Sequence, residues 1–155
     1  MMNRPFRVIF LIVALFLLLL ISAGIRVMAV NATQSADYTE DDWLEYKILT
    51  RDEVKNAPRI SPDFLFKFRQ HDGPSPQLSV IEFYNTQESE RLEKNLASLG
   101  YYSGMDPLFG KVWYAPDNRS SAYIKKFDKR TVTLTVTDVP APLNMPKDKN
   151  RTKNQ

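Results

Sequence analysis

The chain contains no cysteine, one histidine and five glycines among 155 residues. The lack of cysteine excludes disulfides, a thiol nucleophile, thiolate metal ligands and the lipid-modified cysteine of a lipoprotein. Because His71 is the only histidine, a metal site would depend on carboxylates, and a catalytic dyad could use only one imidazole. The small number of glycines argues against a flexible loop that cradles a phosphate group.

Recognised catalytic motifs are also missing, including the Gly-x-Ser-x-Gly elbow, the phosphate loop and the His-Glu-x-x-His helix. His71 stands in a His-Asp-Gly sequence, which is more typical of a turn than of a general base. Glu82 and Asp106 remain as candidates for a carboxylate pair of the kind that cleaves glycosides. We therefore expect a non-catalytic protein with no cofactor and no metal, and a small envelope hydrolase that uses carboxylates is the alternative.

Positive charge is concentrated at the N-terminus. Arg4, Arg7 and Arg26 are three of the 21 basic residues, and no acidic residue precedes Asp37. From Asp37 onward the basic and acidic residues balance, so the formal net charge of +3 belongs to the N-terminal segment. This distribution predicts no nucleic-acid partner.

An apolar run at 8–25 predicts a transmembrane helix. At about 1.5 Å per residue, it nearly spans a hydrocarbon core of about 30 Å. Arg4 and Arg7 precede the run, and the excess of basic residues on that side places the N-terminus in the cytoplasm. We expect a cytoplasmic segment at 1–7, a signal-anchor helix at 8–25 and a short stalk at 26–36. A domain at 37–142 and a disordered polar tail at 143–155 follow, on the periplasmic or extracellular side of a bacterial inner (plasma) membrane.

A cleaved secretory signal is the alternative interpretation of the same segment. Ala29 and Ala32 each end a short sequence that a signal peptidase could recognise. Two features favour a retained anchor: the apolar run exceeds the usual signal core of roughly 7–15 residues, and Arg26 lies between it and either cut. Cleavage would instead release the domain as a secreted soluble factor.

The best-defined helix of the domain follows an Asn-x-x-Glu capping box at 85–88. Leu92, Leu96 and Leu99 recur at the spacing of one helical face, and Gly100 supplies a left-handed stop. A second capping box, Thr-x-x-Glu at 50–53, predicts a short helix that ends before Pro58.

Short strands account for most of the rest of the domain. They are predicted at 44–49, 64–69, 78–84, 111–115, 122–127 and 131–137. The sequence thus predicts an α+β fold with a mostly antiparallel sheet and one main helix, and a ferredoxin-like arrangement is the architectural alternative. The last strand alternates threonine with apolar residues, and its threonine row could accept a partner strand if it lay at a sheet edge.

The segment 101–110 is predicted to be a loop, although it is rich in large apolar and aromatic side chains. Such a loop either folds over the core or contacts a partner. Tyr102, Leu108 and Phe109 are therefore candidate partner-binding residues. Trp113 and Tyr114 point to opposite faces of the next strand, so that one belongs to the core and the other extends this surface. Trp113 is the fourth candidate.

The general plan is one N-terminal anchor and a small cysteine-free domain without a catalytic cluster. This plan resembles that of many bacterial envelope proteins and of some membrane-tethered immunity proteins that block a toxin. The expected function is to bind another envelope protein, either as an assembly accessory or as an inhibitor. The expected partners are the lipid bilayer, through 8–25, and that envelope protein, with no small-molecule ligand.

Overall fold

The computed structural model describes residues 4–70, 76–107 and 109–138. Its first element is the helix α1 (Arg4–Asn31) of 28 residues. Within it, Val8–Asn31 has a mean hydropathy of 3.2 and is long and apolar enough to span a membrane. Apolar side chains along this stretch are exposed, as expected for a helix whose surroundings are lipid rather than protein.

The end of α1 lies against the domain. Helix formation continues to Asn31 because the chain contains no proline and no glycine between Ile25 and that residue. Val30 is buried in the core, and Arg26 pairs with Glu45 at 3.8 Å between Nη2 and Oε1. The first strand begins soon afterwards, at Ser35, still within the stretch 26–36 that the sequence assigned to a stalk.

In the residues that the structure describes, seven strands form one sheet. They are β1 (Ser35–Tyr38), β2 (Phe64–Arg69), β3 (Leu78–Tyr84), β4 (Tyr102–Asp106), β5 (Gly110–Tyr114), β6 (Ser121–Phe127) and β7 (Thr131–Thr137). Their order in space is β1-β2-β3-β7-β6-β5-β4, and every neighbouring pair is antiparallel. The sheet thus consists of two meanders, β1 to β3 and β4 to β7, which join where β3 pairs with β7.

Three short helices contribute to the core on one face of the sheet: α2 (Trp43–Leu49), α3 (Asp52–Lys55) and α4 (Glu90–Ser98). The core consists of side chains from one face of the sheet together with buried residues of these helices, among them Leu49, Val54, Phe66, Ile81, Phe83, Leu92, Leu96, Leu134 and Val136. We call the other face of the sheet the open face. Its central strands carry Glu82, Thr133, Thr135 and Tyr123, because successive side chains of a strand point to opposite faces.

The structure confirms the α+β class and most of the predicted strands. β2, β3 and β7 have the predicted limits, and β5 and β6 each begin one residue early. β2 and β3 form the predicted hairpin, although its turn with His71 lies outside the described residues. The predicted tail at 143–155 also lies outside them.

The predicted strand at 44–49 is wrong, because this segment is the helix α2. Asp42 accepts hydrogen bonds from the main-chain N–H (2.9 Å) and the hydroxyl (3.1 Å) of Thr39, which turns the chain ahead of the helix. One turn later Tyr46 packs edge-on against Phe66, with ring centroids 5.1 Å apart. The ferredoxin-like alternative is wrong as well. In the described sheet the strands linked through helices are either adjacent (β1 and β2) or separated by three strands (β3 and β4), so none of them forms a split β-α-β unit around one intervening strand.

The two predicted helices exist, but neither uses its predicted capping box. The Asn85 side chain donates instead to Asp63 at 3.1 Å, and its own φ of 56° lies in the left-handed region, so α4 begins later, after Ser89. The Thr50 hydroxyl is hydrogen-bonded to Tyr38 at 3.0 Å rather than to the start of α3. In both cases the side chain that was expected to cap the helix is hydrogen-bonded to a residue distant in sequence.

The C-terminus of α4 agrees more closely with the prediction from sequence. Gly100 has a φ of 84° and the N–H of Tyr101 donates to the carbonyl of Leu96 at 3.1 Å, which together make the expected left-handed stop. Leu92 and Leu96 are fully buried, whereas Leu99 is 44% exposed because the helix has already ended at Ser98.

The threonine row of β7 is not at an edge of the sheet. β7 lies between β3 and β6, so both sides of this strand are already paired. Thr133, Thr135 and Thr137 are also buried. The hypothesis that this row accepts a partner strand is therefore wrong, and the edge strands of the described sheet are β1 and β4.

Candidate functional site

The segment 101–110 forms half of a hairpin rather than a loop. β4 pairs with β5 from Tyr102 opposite Tyr114 to Asp106 opposite Gly110. At the turn, the Asp106 carboxylate accepts the main-chain N–H of Phe109 at 3.0 Å. Gly110 adopts a φ of 78°, which favours glycine and lets the chain enter β5. The apolar side chains of this segment are therefore held on a regular strand and a tight turn.

Tyr114 covers Gly104, the glycine of β4, on the open face and packs beside Tyr102. Tyr102 and Tyr114 are cross-strand neighbours with ring centroids 5.6 Å apart. The Tyr102 hydroxyl donates to Asn118 at 2.7 Å, which fixes the exposed ring. A Cβ at Gly104 would lie 2.9 Å from Cε2 of Tyr114, so only glycine fits beneath that ring. Burial, followed by the charge of Asp106, raises the pKa of Tyr114.

A second aromatic pair continues this surface onto β6. The rings of Phe109 and Tyr123 stack with centroids 5.8 Å apart and an interplanar angle of 25°. The ammonium group of Lys125 lies 5.4 Å from the Phe109 centroid and 5.1 Å from the Tyr123 centroid. These cation–π contacts place one positive charge among the rings at a partly exposed site.

Two of the four candidates predicted from sequence are exposed on the same hairpin, Tyr102 at the start of β4 and Phe109 in the turn that follows it. Tyr102 is 43% exposed and Phe109 is 51% exposed. Trp113 is only 8% exposed and belongs to the core, where Lys111 lies over its ring at 4.9 Å. Leu108 lies outside the described residues. As predicted, Trp113 and Tyr114 point to opposite faces, but both are buried.

Met105 is the exposed apolar residue that the sequence reasoning missed. Its side chain is 80% exposed, the highest value for a large apolar residue of the described domain. Exposed large apolar side chains outside α1 are Trp43, Leu99, Tyr102, Met105, Phe109 and Phe127, and three of them belong to the β4–β5 hairpin. We call Tyr102, Met105 and Phe109 the hairpin surface. Recognising β4 as a strand would have identified Met105, because an edge strand exposes side chains on both faces.

A polar cleft of about 540 Å³ lies at the end of the sheet where β4 and β6 begin. Arg51 makes two hydrogen bonds to the Glu53 carboxylate, at 3.2 and 3.1 Å, and also pairs with Asp138. The Tyr101 hydroxyl donates to Glu53 at 2.8 Å and lies 3.1 Å from the Ser120 hydroxyl. These contacts connect α3 to the ends of β4, β6 and β7.

Burial and hydrogen bonding together set the protonation states of Tyr101 and Glu53 in this cleft. It raises the pKa of Tyr101 to about 12, and the neighbouring charge of Glu53 acts in the same direction. Burial also works to raise the pKa of Glu53, but hydrogen bonds from Arg51 and Tyr101 outweigh it, so this pKa is lowered. A neutral tyrosine and an ionised carboxylate are the stable forms at neutral pH. Arg51 lies between the carboxylates of Glu53 and Asp138, and such an ion pair network is typical of a structural contact between elements.

The carboxylates considered for catalysis do not form a pair. Glu82 on β3 pairs with Lys67 and accepts the Tyr84 hydroxyl at 3.0 Å. Asp106 on β4 is four strand spacings away, roughly 19 Å along the sheet, whereas the carboxylates of glycosidases lie about 5–10 Å apart. His71 lies outside the described residues. In the part of the chain that the structure describes, no group of three or more histidine, aspartate or glutamate side chains could hold a metal ion.

Comparison with known proteins assigns the chain to no family. No protein-family model, curated protein or solved structure matches it. Its function is therefore inferred from its own residues, and the hairpin surface is the feature that the fold leaves most available to a partner.

Proposed function

We propose that this chain is a single-pass protein of a bacterial inner membrane whose extracytoplasmic domain binds another envelope protein without catalysing a reaction. The observation that carries the proposal is the grouping of Tyr102, Met105 and Phe109 on one hairpin of a domain that buries most other large apolar side chains. Exposed apolar groups of this kind are typical of protein-binding sites when they gather at one place.

Helix α1 supports the proposed membrane anchor. Its apolar residues are exposed along the length needed to cross a bilayer, and two arginines precede them. Val30, at its end, is part of the domain core. A signal peptidase cut after Ala32 would remove that residue, and a cut after Ala29 would leave it at a chain terminus. A retained helix is therefore favoured over a secreted soluble factor.

The chemistry of the hairpin surface indicates what the partner presents. Tyr102 and Phe109 offer aromatic rings, which are enriched among the residues that dominate binding energy. Lys125 adds a positive charge that, among the described residues, makes no ion pair. A complementary partner would present apolar side chains together with a carboxylate near Lys125, so that the charge is paired on association.

Partner recovery from membranes tests the proposal. The tagged full-length chain and its Tyr102→Ala/Phe109→Ala variant would be expressed in the source organism and isolated with bound proteins after mild solubilisation. We expect the variant to recover the partner about tenfold less or worse, the loss for removing 1.4 kcal/mol or more of binding energy.

Trp43→Ala is the matched control for this experiment. Trp43 is also an exposed aromatic residue, but it lies on α2, which packs beside β1 at the opposite edge of the sheet. Its variant should recover the partner at the wild-type level. Equal recovery with all three chains, each found in the membrane fraction, would contradict a binding role for the hairpin surface.

A further inference from the structure

The last turn of α1 is shared between two environments. Met28 is 74% exposed and Val27 is exposed as well, whereas Val30 is buried in the domain core. Because a helix rises about 1.5 Å per residue, Met28 and Val30 lie only about 3 Å apart along its axis. The exposed apolar surface of α1 thus extends to the edge of the domain, and a bilayer around that surface would lie directly against the domain.

Helix α2 is held beside this end of α1. Nη2 of Arg26 lies 3.8 Å from Oε1 of Glu45, the two helices pack together, and Val30 and Leu49 belong to the same core. Arg26 directly follows the apolar run at 8–25, and long basic side chains at the end of a membrane helix reach the lipid headgroups. The ion pair therefore places the first turn of α2, which contains Glu45, near the level of the headgroups.

Trp43 is the first residue of that turn, and its side chain is 66% exposed. Tryptophan is enriched where a bilayer meets water, because its ring is apolar and its N–H is a hydrogen-bond donor. Asp41 and Asp42 come immediately before it, so anionic lipids would repel this part of the domain and the ring itself has to supply the contact. Trp43 therefore suits an uncharged lipid interface.

From these features we infer that the domain docks on the bilayer that α1 spans, with the Trp43 ring at the boundary between headgroups and acyl chains. The inference rests on the proposed membrane anchor and adds a lipid contact made by the domain itself. The hairpin surface lies at the other edge of the sheet, six strand spacings or roughly 29 Å from β1, so the lipid contact leaves it free. Because α1 holds the chain in the bilayer with or without this contact, a Trp43 variant still binds the partner.

Fluorescence quenching by brominated lipids tests this contact in the full-length chain. The chain contains two tryptophans, and the second, Trp113, lies in the domain core. The wild type and Trp43→Phe, in which Trp113 is the only tryptophan, would be reconstituted into phosphatidylcholine vesicles. One set of vesicles carries bromine in the upper part of the acyl chains, a second carries it near the chain ends, and a third carries none. Flotation of the vesicles before each measurement shows whether the membrane holds the chain.

A ring that lies about 5–10 Å into the interface should lose about a third or more of the wild-type emission to the shallow bromines and less to the deep ones. Emission of Trp43→Phe should be the same in all three vesicle types. Because both leaflets carry bromine, the result does not depend on which side of the vesicle the domain occupies.

Three results would overturn the inference. Equal wild-type emission in all three vesicle types, from a chain that floats with them, would exclude docking and leave the anchor intact. An equal loss in both chains would show that Trp113, rather than Trp43, is near the lipid. A chain that does not float with the vesicles would overturn the proposed anchor and, with it, the lipid contact of the domain.

Discussion

The ring of Tyr114 occupies the space that any side chain at Gly104 would need. A Cβ at position 104 would lie 2.9 Å from Cε2 of this ring, closer than real Cβ contacts come. The ring cannot easily withdraw, because Tyr114 is buried and packed beside Tyr102. An aromatic residue that covers a cross-strand glycine in this way fixes the register of the two strands. The candidate partner-binding surface therefore depends on a residue with no side chain.

Gly104→Ala should consequently destabilise the domain. We expect a loss of roughly 1–3 kcal/mol in the free energy of unfolding, as for other insertions of a methyl group into filled space. Ser103→Ala, at the next and exposed position of β4, should change it by less than about 0.5 kcal/mol. Urea unfolding of the full-length chain in detergent, followed by tryptophan fluorescence, compares the two. Equal midpoints for both variants would show that Tyr114 moves aside.

Burial of the Tyr101 hydroxyl, which donates to Glu53, makes the stability of the domain depend on pH in the alkaline range. The folded-state pKa of Tyr101 is raised from 10.0 to about 12, chiefly by burial. A raised pKa means that the folded state holds the proton more tightly, so this contribution is complete below pH 10 and is lost as the pH rises towards 12. The Tyr101→Phe variant has no ionisable group at this position, so it should not show this alkaline loss of unfolding free energy.

The measurement is the difference in unfolding free energy between the wild type and Tyr101→Phe. The difference should narrow by roughly 1 kcal/mol between pH 9 and pH 11, since one unit of pKa shift corresponds to about 1.4 kcal/mol. Lysines and the other tyrosines ionise in this alkaline range, but they are common to both chains, so their contributions cancel in the difference. A constant difference across that range would contradict the raised pKa.

The strands that could be predicted from sequence are those whose pattern is set by one buried face. In β7 apolar residues alternate with threonine, and in β2 every second residue is phenylalanine. Phe66, Phe68, Leu134 and Val136 all point into the core. Burial of that face determines both the strand and its register. The apolar run at 8–25 was equally informative, because length and composition alone decide whether a helix can span a bilayer.

The elements that were mispredicted depend on contacts between residues distant in sequence. The segment 44–49 has an apolar pattern that suits a strand or a helix equally, at Leu44, Ile48 and Leu49. It forms the helix α2 because its side chains pack against the core around Phe66. β4 contains serine, glycine and aspartate, residues that individually favour turns, and forms a strand because β5 pairs with it.

The residues of the hairpin surface were predictable only in part, because the position of each one in the sheet also depends on contacts between residues distant in sequence. Apolar composition identified Tyr102 and Phe109 without any knowledge of the fold. The exposure of Met105 could not be predicted, because it depends on β4 being at the sheet edge, and the order of strands is not a local property of the sequence. Trp113 was selected by residue type, although its strand parity directs it into the core.

The contact between α1 and the domain predicts that the last turn of the helix contributes to stability. Val30 is buried in the core, so Val30→Ala should reduce the unfolding free energy by about 1–2 kcal/mol, the value for removing two buried methyl groups. Met28→Ala, two residues earlier and exposed, should have little effect on unfolding of the domain. Denaturant unfolding in the same detergent measures both. If the two variants were equally stable, α1 would not be part of the folding unit.

The proposed orientation can be tested with single cysteines, because the natural chain has none. Lys129→Cys places a thiol on an exposed turn of the domain, and Asn3→Cys places one in the segment assigned to the cytoplasm. A membrane-impermeant maleimide should label the first variant in intact spheroplasts and the second only after lysis, since the positive-inside rule puts the basic end in the cytoplasm. The reverse pattern would place the domain in the cytosol. Labelled Lys129→Cys in a shorter, soluble product would show that the helix is cleaved, and partners should then be sought outside the membrane.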